Sequence, residues 1–203
     1  SFSGGMGYCF PSAVPNNRGN RDKALQYLGN LEGSGGTEMM PAIRAALEGQ
    51  QDGQRLRIVC FMTDGFIGND MEILAAIRQN VRTARVFAFG IGNGVNRFLI
   101  EGMAREGRGA AEIVTLESAG DAAAKRFHER VRSPLLTGIR IDFGGLPITD
   151  ACPAPDALPD LFSAQPIFLT GRYAHGAQGE VTVRGDTARG PFERRIPVSL
   201  PDT

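Results

Sequence analysis

Between about residue 20 and residue 132 the chain switches repeatedly between apolar side chains at helical spacing and short, dense apolar runs. That alternation constrains the fold most, because parallel strands need a crossover and the usual crossover is a helix. Ala24, Leu25, Leu28 and Leu31 predict a first helix with one apolar face, ended by Gly33-Ser34-Gly35-Gly36. A second helix is expected from near Thr37, with Pro41 tolerated in its first turn and Met40, Ile43 and Leu47 on one side. Arg57 to Thr63 is almost continuously apolar, as a parallel strand covered on both faces would be, and Asp64-Gly65 closes it. Ile73, Leu74, Ile77 and Val81 mark a third helix capped by Asn69 or Asp70. Val86 to Ile91 predicts a second buried strand, and Gly92-Asn93-Gly94 leads into a helix carrying Phe98, Leu99 and Met103 that ends at Gly107 to Gly109. A short strand near Ile113-Val114 and a last helix from about Ala119 to Arg132, with Ala123, Phe127 and Val131 inward, complete the series.

After Ser133-Pro134 the pattern changes. Ile139 to Phe143, Val181 to Arg184 and Phe192 to Val198 alternate apolar with polar, Ile167-Phe168-Leu169 is denser, and glycines and prolines fill the intervals. Residues 134–203 are therefore expected to form a separate all-β segment of four strands, and 1–133 an α/β unit with a doubly wound parallel sheet. Four strands provide only a thin core, so this segment is expected to lean on a partner sheet.

The 22 basic and 22 acidic residues cancel, which removes the electrostatic case for nucleic acid or an anionic membrane as partner. Arginine far outnumbers lysine but is scattered, which suits a solvated surface. Cys9, Cys60 and Cys152 form no C-x-x-C pair, so neither a disulfide framework nor a zinc site is announced, and Cys60 in its apolar run reads as a buried, inert thiol. No stretch approaches the roughly 18 apolar residues of a membrane span. The opening Ser1-Phe2-Ser3, with no initiator Met, is expected of a piece of a longer protein.

Two glycine clusters raise the prospect of an anion cradle. In Gly33-Ser34-Gly35-Gly36-Thr37 the position that the Walker pattern gives to Lys is Gly36, and in Gly90-x-Gly92-x-Gly94 the dinucleotide fingerprint wants glycine where Val95 stands. They leave, as an alternative, an α/β enzyme that binds a phosphorylated or nucleotide ligand through the Gly33–Gly36 and Gly90–Gly94 loops. His128 and His175 adjoin no nucleophile elbow and read as solvated side chains, so no catalytic residue is assigned. Asp64 carries more weight. It stands at the C-terminal end of a buried parallel strand, where open α/β sheets bind ligands, and its hard oxygens suit Mg²⁺ or Mn²⁺; the other reading is a turn-capping carboxylate. Thr37, opening a helix after a glycine loop, could bring a hydroxyl to the same sheet edge.

Gly35-Gly36-Thr37-Glu38, Phe61-Met62-Thr63-Asp64-Gly65, and Phe89-Gly90-Ile91-Gly92 with its following helix together resemble a von Willebrand factor type A domain over residues 1 to about 132. Asp160-Leu161-Phe162-Ser163-Ala164-Gln165-Pro166 and Leu169 to Tyr173 resemble the β segment of bacterial proteins that join such a domain to a VIT domain, relatives of the inter-alpha-trypsin inhibitor heavy chains. The resemblance implies a non-enzymatic, protein-binding or adhesion-type module. Its metal-ion-dependent adhesion site would hold Mg²⁺, Mn²⁺ or Ca²⁺, with Thr37 and Asp64 as metal ligands and a protein partner completing the shell. It also implies a cell-envelope or secreted setting. The family's D-x-S-x-S element has no match here: Ser1 replaces its Asp and Gly5 its last Ser, and residues 2 to 10 look more like an edge-forming strand. The sheet is accordingly expected to be incomplete at its N-terminal side, to self-associate through its bare edge, and to hold metal weakly or not at all.

Overall fold

The computed structural model describes residues 1–32, 35–48, 56–64, 68–81, 84–115, 120–131, 135–155, 158–162 and 166–202. Its first half is built on three parallel strands, β1 (Arg57–Thr63), β2 (Ala84–Ile91) and β3 (Ala111–Val114), in the order β1-β2-β3. Five helices accompany them: α1 (Arg18–Gly29), α2 (Met39–Glu48), α3 (Asp70–Asn80), α4 (Arg97–Glu106) and α5 (Gly120–Val131).

Side chains alternate across a strand, so β2 presents two different faces. Val86 and Ala88 join Met39, Ile43 and Leu47 of α2, Ile73, Leu74 and Ile77 of α3, and Leu99, Ile100 and Met103 of α4 in the larger core. Phe87 and Phe89 point the other way, into a smaller cluster with Ala110, Phe162 and the half-buried Phe127 and Val131 of α5. The rings there meet edge to face: Phe127 lies 5.4 Å from Phe87 and 5.2 Å from Phe89, and Phe162 lies 5.3 Å from Phe87. Helices thus cover both faces of the sheet, as the doubly wound reading requires.

The second half is all β among its described residues. Strands β4 (Thr137–Asp142), β7 (Ala177–Thr187) and β8 (Gly190–Leu200) form one antiparallel sheet in the order β4-β7-β8, and β5 (Ile148–Cys152) pairs with β6 (Thr170–Tyr173) in another. Leu136, Ile139 and Leu158 form its small core. The two halves share a clasp. The Asp160 carboxylate accepts from Arg85 Nε at 2.6 Å, from Arg85 Nη2 at 3.0 Å and from the Gly138 amide at 3.0 Å, while Leu161 bridges to Leu136. Asp160 and Phe162 therefore complete the second face of the α/β sheet.

Several sequence expectations fail for local physical reasons. Helix α1 has no buried residue, and Leu25 and Leu28 are 67% and 60% exposed, because its apolar stripe finds no sheet to lie on among the described residues. Strand β1 is covered on one face only: Phe61 and Thr63 are buried, whereas Ile58, Cys60 and Met62 are exposed, since α5 packs over β2 and β3 and stops short of β1. Cys60 is therefore not buried. Phe98 of α4 is also exposed. Residues 2–10 form no edge strand, only an isolated bridge between Phe2 and Met6. In the second half, Ile167 to Leu169 lie outside any strand while β5 and β6 are additions, β5 having no clean alternation, so the described strands number five rather than four. The expectations at Gly33, Ser34, Gly65, Ser133 and Pro134 lie outside the described residues.

Candidate metal site at the carboxyl end of the sheet

Strand β1 delivers Asp64 to the carboxyl edge of the sheet one residue after Thr63, which stands in register with Gly90. Gly90 has to be glycine. A Cβ there would collide with Val95 Cγ1 and lie 2.9 Å from Ile113 Cδ1, so the bare backbone lets the loop after β2 fold back tightly. That fold-back brings Asn96 behind Asp64. The Asn96 amide donates to the Asp64 carbonyl at 3.4 Å, its Oδ1 accepts from the Leu99 amide at 3.1 Å to cap α4, and its Nδ2 donates to Asp70 Oδ2 at 2.7 Å. Asp70 opens α3, where the exposed amides of a helix start favour a carboxylate. Its Oδ1 and the neighbouring Asn69 Oδ1 are shut away from solvent without a hydrogen-bond partner. Asn69 occupies the N-cap position as expected, but its side chain makes no capping bond.

Thr37 arrives from a different direction. Gly35 takes a left-handed φ of 79°, and its α-carbon packs against Gly4, so the chain can turn sharply just before α2. The Glu38 amide then donates to the Ser3 carbonyl at 2.8 Å. Thr37 and Asp64 both line one hollow of about 780 Å³, whose walls include Phe2, Leu28, Leu31, Val59 and Phe61. Both residues are exposed. Among the described residues no strand pairs with the outer edge of β1, which runs along this hollow. The Cys60 thiol sits in the same wall, and its apolar surroundings push its pKa up to about 11, so it stays protonated although part of the residue is exposed.

The structure thus brings the two expected ligands to one cavity. It also shows Asn96 and Asp70, which ligand chemistry alone did not select; their signal was positional, an Asn directly before one helix and an Asp opening another. In the second glycine cluster the Gly92 amide donates to the Val114 carbonyl at 2.9 Å, which takes that amide away from an anion. His128 and His175 are exposed, as expected of solvated side chains.

The family model described as the von Willebrand factor type A domain matches residues 2–113, the stretch that holds Thr37, Asp64 and all of the parallel sheet but its last residue, Val114. The chain belongs to the von Willebrand factor type A domain family. Among its relatives are a von Willebrand factor A domain-containing protein of Dictyostelium discoideum, 27% identical over 182 residues, and the human von Willebrand factor A domain-containing protein 5A, 27% identical over 199 residues. These matches cover 88% and 95% of this chain but only 19% and 25% of the relatives. Bovine inter-alpha-trypsin inhibitor heavy chain H3 is 25% identical over 186 residues, covering 85% of this chain and 21% of its own length. The chain therefore spans about a fifth to a quarter of these relatives. A solved von Willebrand factor type A structure from Catenulispora acidiphila superposes with a TM-score of 0.63 at 14% identity, covering 98% of this chain and 56% of that one, which establishes a shared fold.

A hydroxyl and a carboxylate opening onto one cavity suit a hard divalent cation, since Mg²⁺, Mn²⁺ and Ca²⁺ all take oxygen ligands. Two such groups are few. Among the described residues no cluster of three or more His, Cys, Asp or Glu side chains could add to them. The donor set fits such an ion in kind and falls short in number.

Proposed function

We propose that this chain is a non-enzymatic protein-binding module of the adhesion type, in which Thr37 and Asp64 hold a divalent cation directly or through water. The observation that carries this reading is that these two residues, from separate loops, line one cavity at the carboxyl end of β1 in a chain of the type A family. A carboxylate of a protein partner would complete the shell. The likeness to an inter-alpha-trypsin inhibitor heavy chain supports the finer assignment to the group that pairs the type A domain with a VIT domain. Residues 1–133 then act as the type A unit and 134–203 as its β-rich base.

The family's D-x-S-x-S element has no counterpart in residues 1–203, so most of the ion's ligands would be water. Calorimetric titration with Mg²⁺ is expected to give a dissociation constant on the order of millimolar or weaker. Sub-millimolar binding would show that the ligand set has been misassigned. Among the described residues no strand covers the outer edge of β1, and an open strand edge pairs with whatever strand reaches it. We expect self-association at micromolar concentration, which a monodisperse monomer in light scattering would refute. A thermal shift on adding ADP in EDTA would favour the alternative, a phosphate-binding enzyme; the adhesion reading expects no shift.

A further inference from the structure

Asp64 is exposed at the end of a strand, and a carboxylate in that position holds an ion only as well as the backbone behind it is held. Among the described residues, Asn96 contributes to that support. Asn96 touches three elements at once: the last carbonyl of the β1 segment through its backbone amide, the first turn of α4 through Oδ1, and the carboxylate that opens α3 through Nδ2. It is carried there by the fold-back over Gly90, which no side chain at that position would allow. Asp70 in turn receives a single hydrogen bond on Oδ2, while its buried Oδ1 has none. Losing the Asn96 side-chain amide would leave both Asp70 oxygens without a donor. A buried carboxylate in that state has a strong drive to rearrange.

We infer that Asn96 is a positioning residue for the cation site, acting through the Asp64 backbone and Asp70 and not as a ligand; this rests on the reading of Asp64 as a cation ligand. The Nδ2 bond to Asp70 is the part of its role that does not belong to ordinary helix capping. A serine can replace the cap acceptor of α4, but its hydroxyl, one atom from Cβ, is too short to place a donor where Nδ2 meets Asp70. Asn96→Ser therefore separates positioning from capping. Asp70→Ala breaks the same bond from the other side and leaves the cap intact. Asp70→Asn removes the charge but keeps an oxygen for Nδ2.

Mn²⁺ affinity, followed by loss of the free-ion electron paramagnetic resonance signal, tests this, with circular dichroism melting of each variant as a check on the fold. Asp64→Ala is expected to abolish binding, and Asn96→Ser and Asp70→Ala each to weaken it about tenfold, the size usual for groups that orient a metal ligand. Asp70→Asn should bind close to wild type, and Asn96→Ser, which strips Asp70 of its side-chain donor, should melt below the wild type yet stay folded at the temperature of the binding assay. If Asn96→Ser and Asp70→Ala bind as the wild type does while Asp64→Ala does not bind, Asn96 has no positioning role and the cation reading stands. If Asp64→Ala binds as the wild type does, both fall. Equal losses in Asp70→Asn and Asp70→Ala would make the effect one of charge and overturn the positioning role.

Discussion

Asp160→Ala is the substitution whose cost follows most directly from the structure. The Asp160 and Arg85 side chains are 1% and 7% exposed, and both guanidinium contacts are short, at 2.6 and 3.0 Å. Removing the carboxylate leaves a buried guanidinium with only the Ala84 carbonyl, 2.9 Å from Nη1, to offset its desolvation. Stranding one partner of a buried pair costs about 3–5 kcal/mol. The Gly138 amide loses its acceptor as well, which adds about 1–2 kcal/mol. Against a domain stability of about 5–15 kcal/mol, the variant should be close to unfolding at 37 °C. The paired replacement Arg85→Met with Asp160→Leu removes both charges and keeps the volume, so its cost should shrink to about the 1–2 kcal/mol of the orphaned Gly138 amide. Urea denaturation followed by circular dichroism at 25 °C measures all three proteins. A loss below about 1 kcal/mol for Asp160→Ala would place the pair in solvent and refute the clasp. So would a double variant as unstable as the single.

Two further substitutions or conditions probe other parts of the molecule. Gly109→Ala would drive a Cβ into the Val86 carbonyl oxygen, a backbone atom of β2 that cannot swing away, and should destabilise the chain by at least 3 kcal/mol or about that; a melting temperature within a few degrees of wild type would contradict the packing of the α4–β3 turn on β2. Partial desolvation by its apolar surroundings raises the Cys60 thiol from 9.0 to about 11, so its alkylation by iodoacetamide in the native protein should keep accelerating with pH to about 11, whereas in urea the midpoint should fall to the ordinary value. Because the folded pKa is the higher one, this thiol's contribution to stability is present below pH 9 and is lost as pH rises from there through 11. A native midpoint at the ordinary value would refute the apolar setting.

Periodicity reports a pattern and not what covers it, and the differences between sequence and structure sort along that line. Strands β2 and β3 and helices α2 to α5 follow their spacing, because each apolar stripe meets a partner the same pattern supplies. The stripe on α1 and the outward face of β1 have equally good spacing, yet Leu25, Leu28 and Met62 remain exposed because no described element lies over them. Short β segments are harder still: β5 contains Asp150 at a left-handed φ of 52° and pairs with β6 through a register shift, which removes the clean alternation a reader would look for. At the site, Thr37 and Asp64 were legible because strand-end carboxylates and helix-start hydroxyls have a chemical reason to be there. The Arg85–Asp160 pair was not, since 75 residues separate its members and nothing local marks either one.

The central claim is that Thr37 and Asp64 face one cation. Titrating isotopically labelled protein with Mn²⁺ and recording amide resonances tests it directly, because paramagnetic broadening falls off steeply with distance and detects even weak binding. The account predicts that the amides of Thr37 and Asp64 broaden together and first, ahead of the exposed carboxylates Glu180 and Glu193 on the β7–β8 sheet. Broadening that begins at those carboxylates, or that touches Asp64 and spares Thr37, would contradict it.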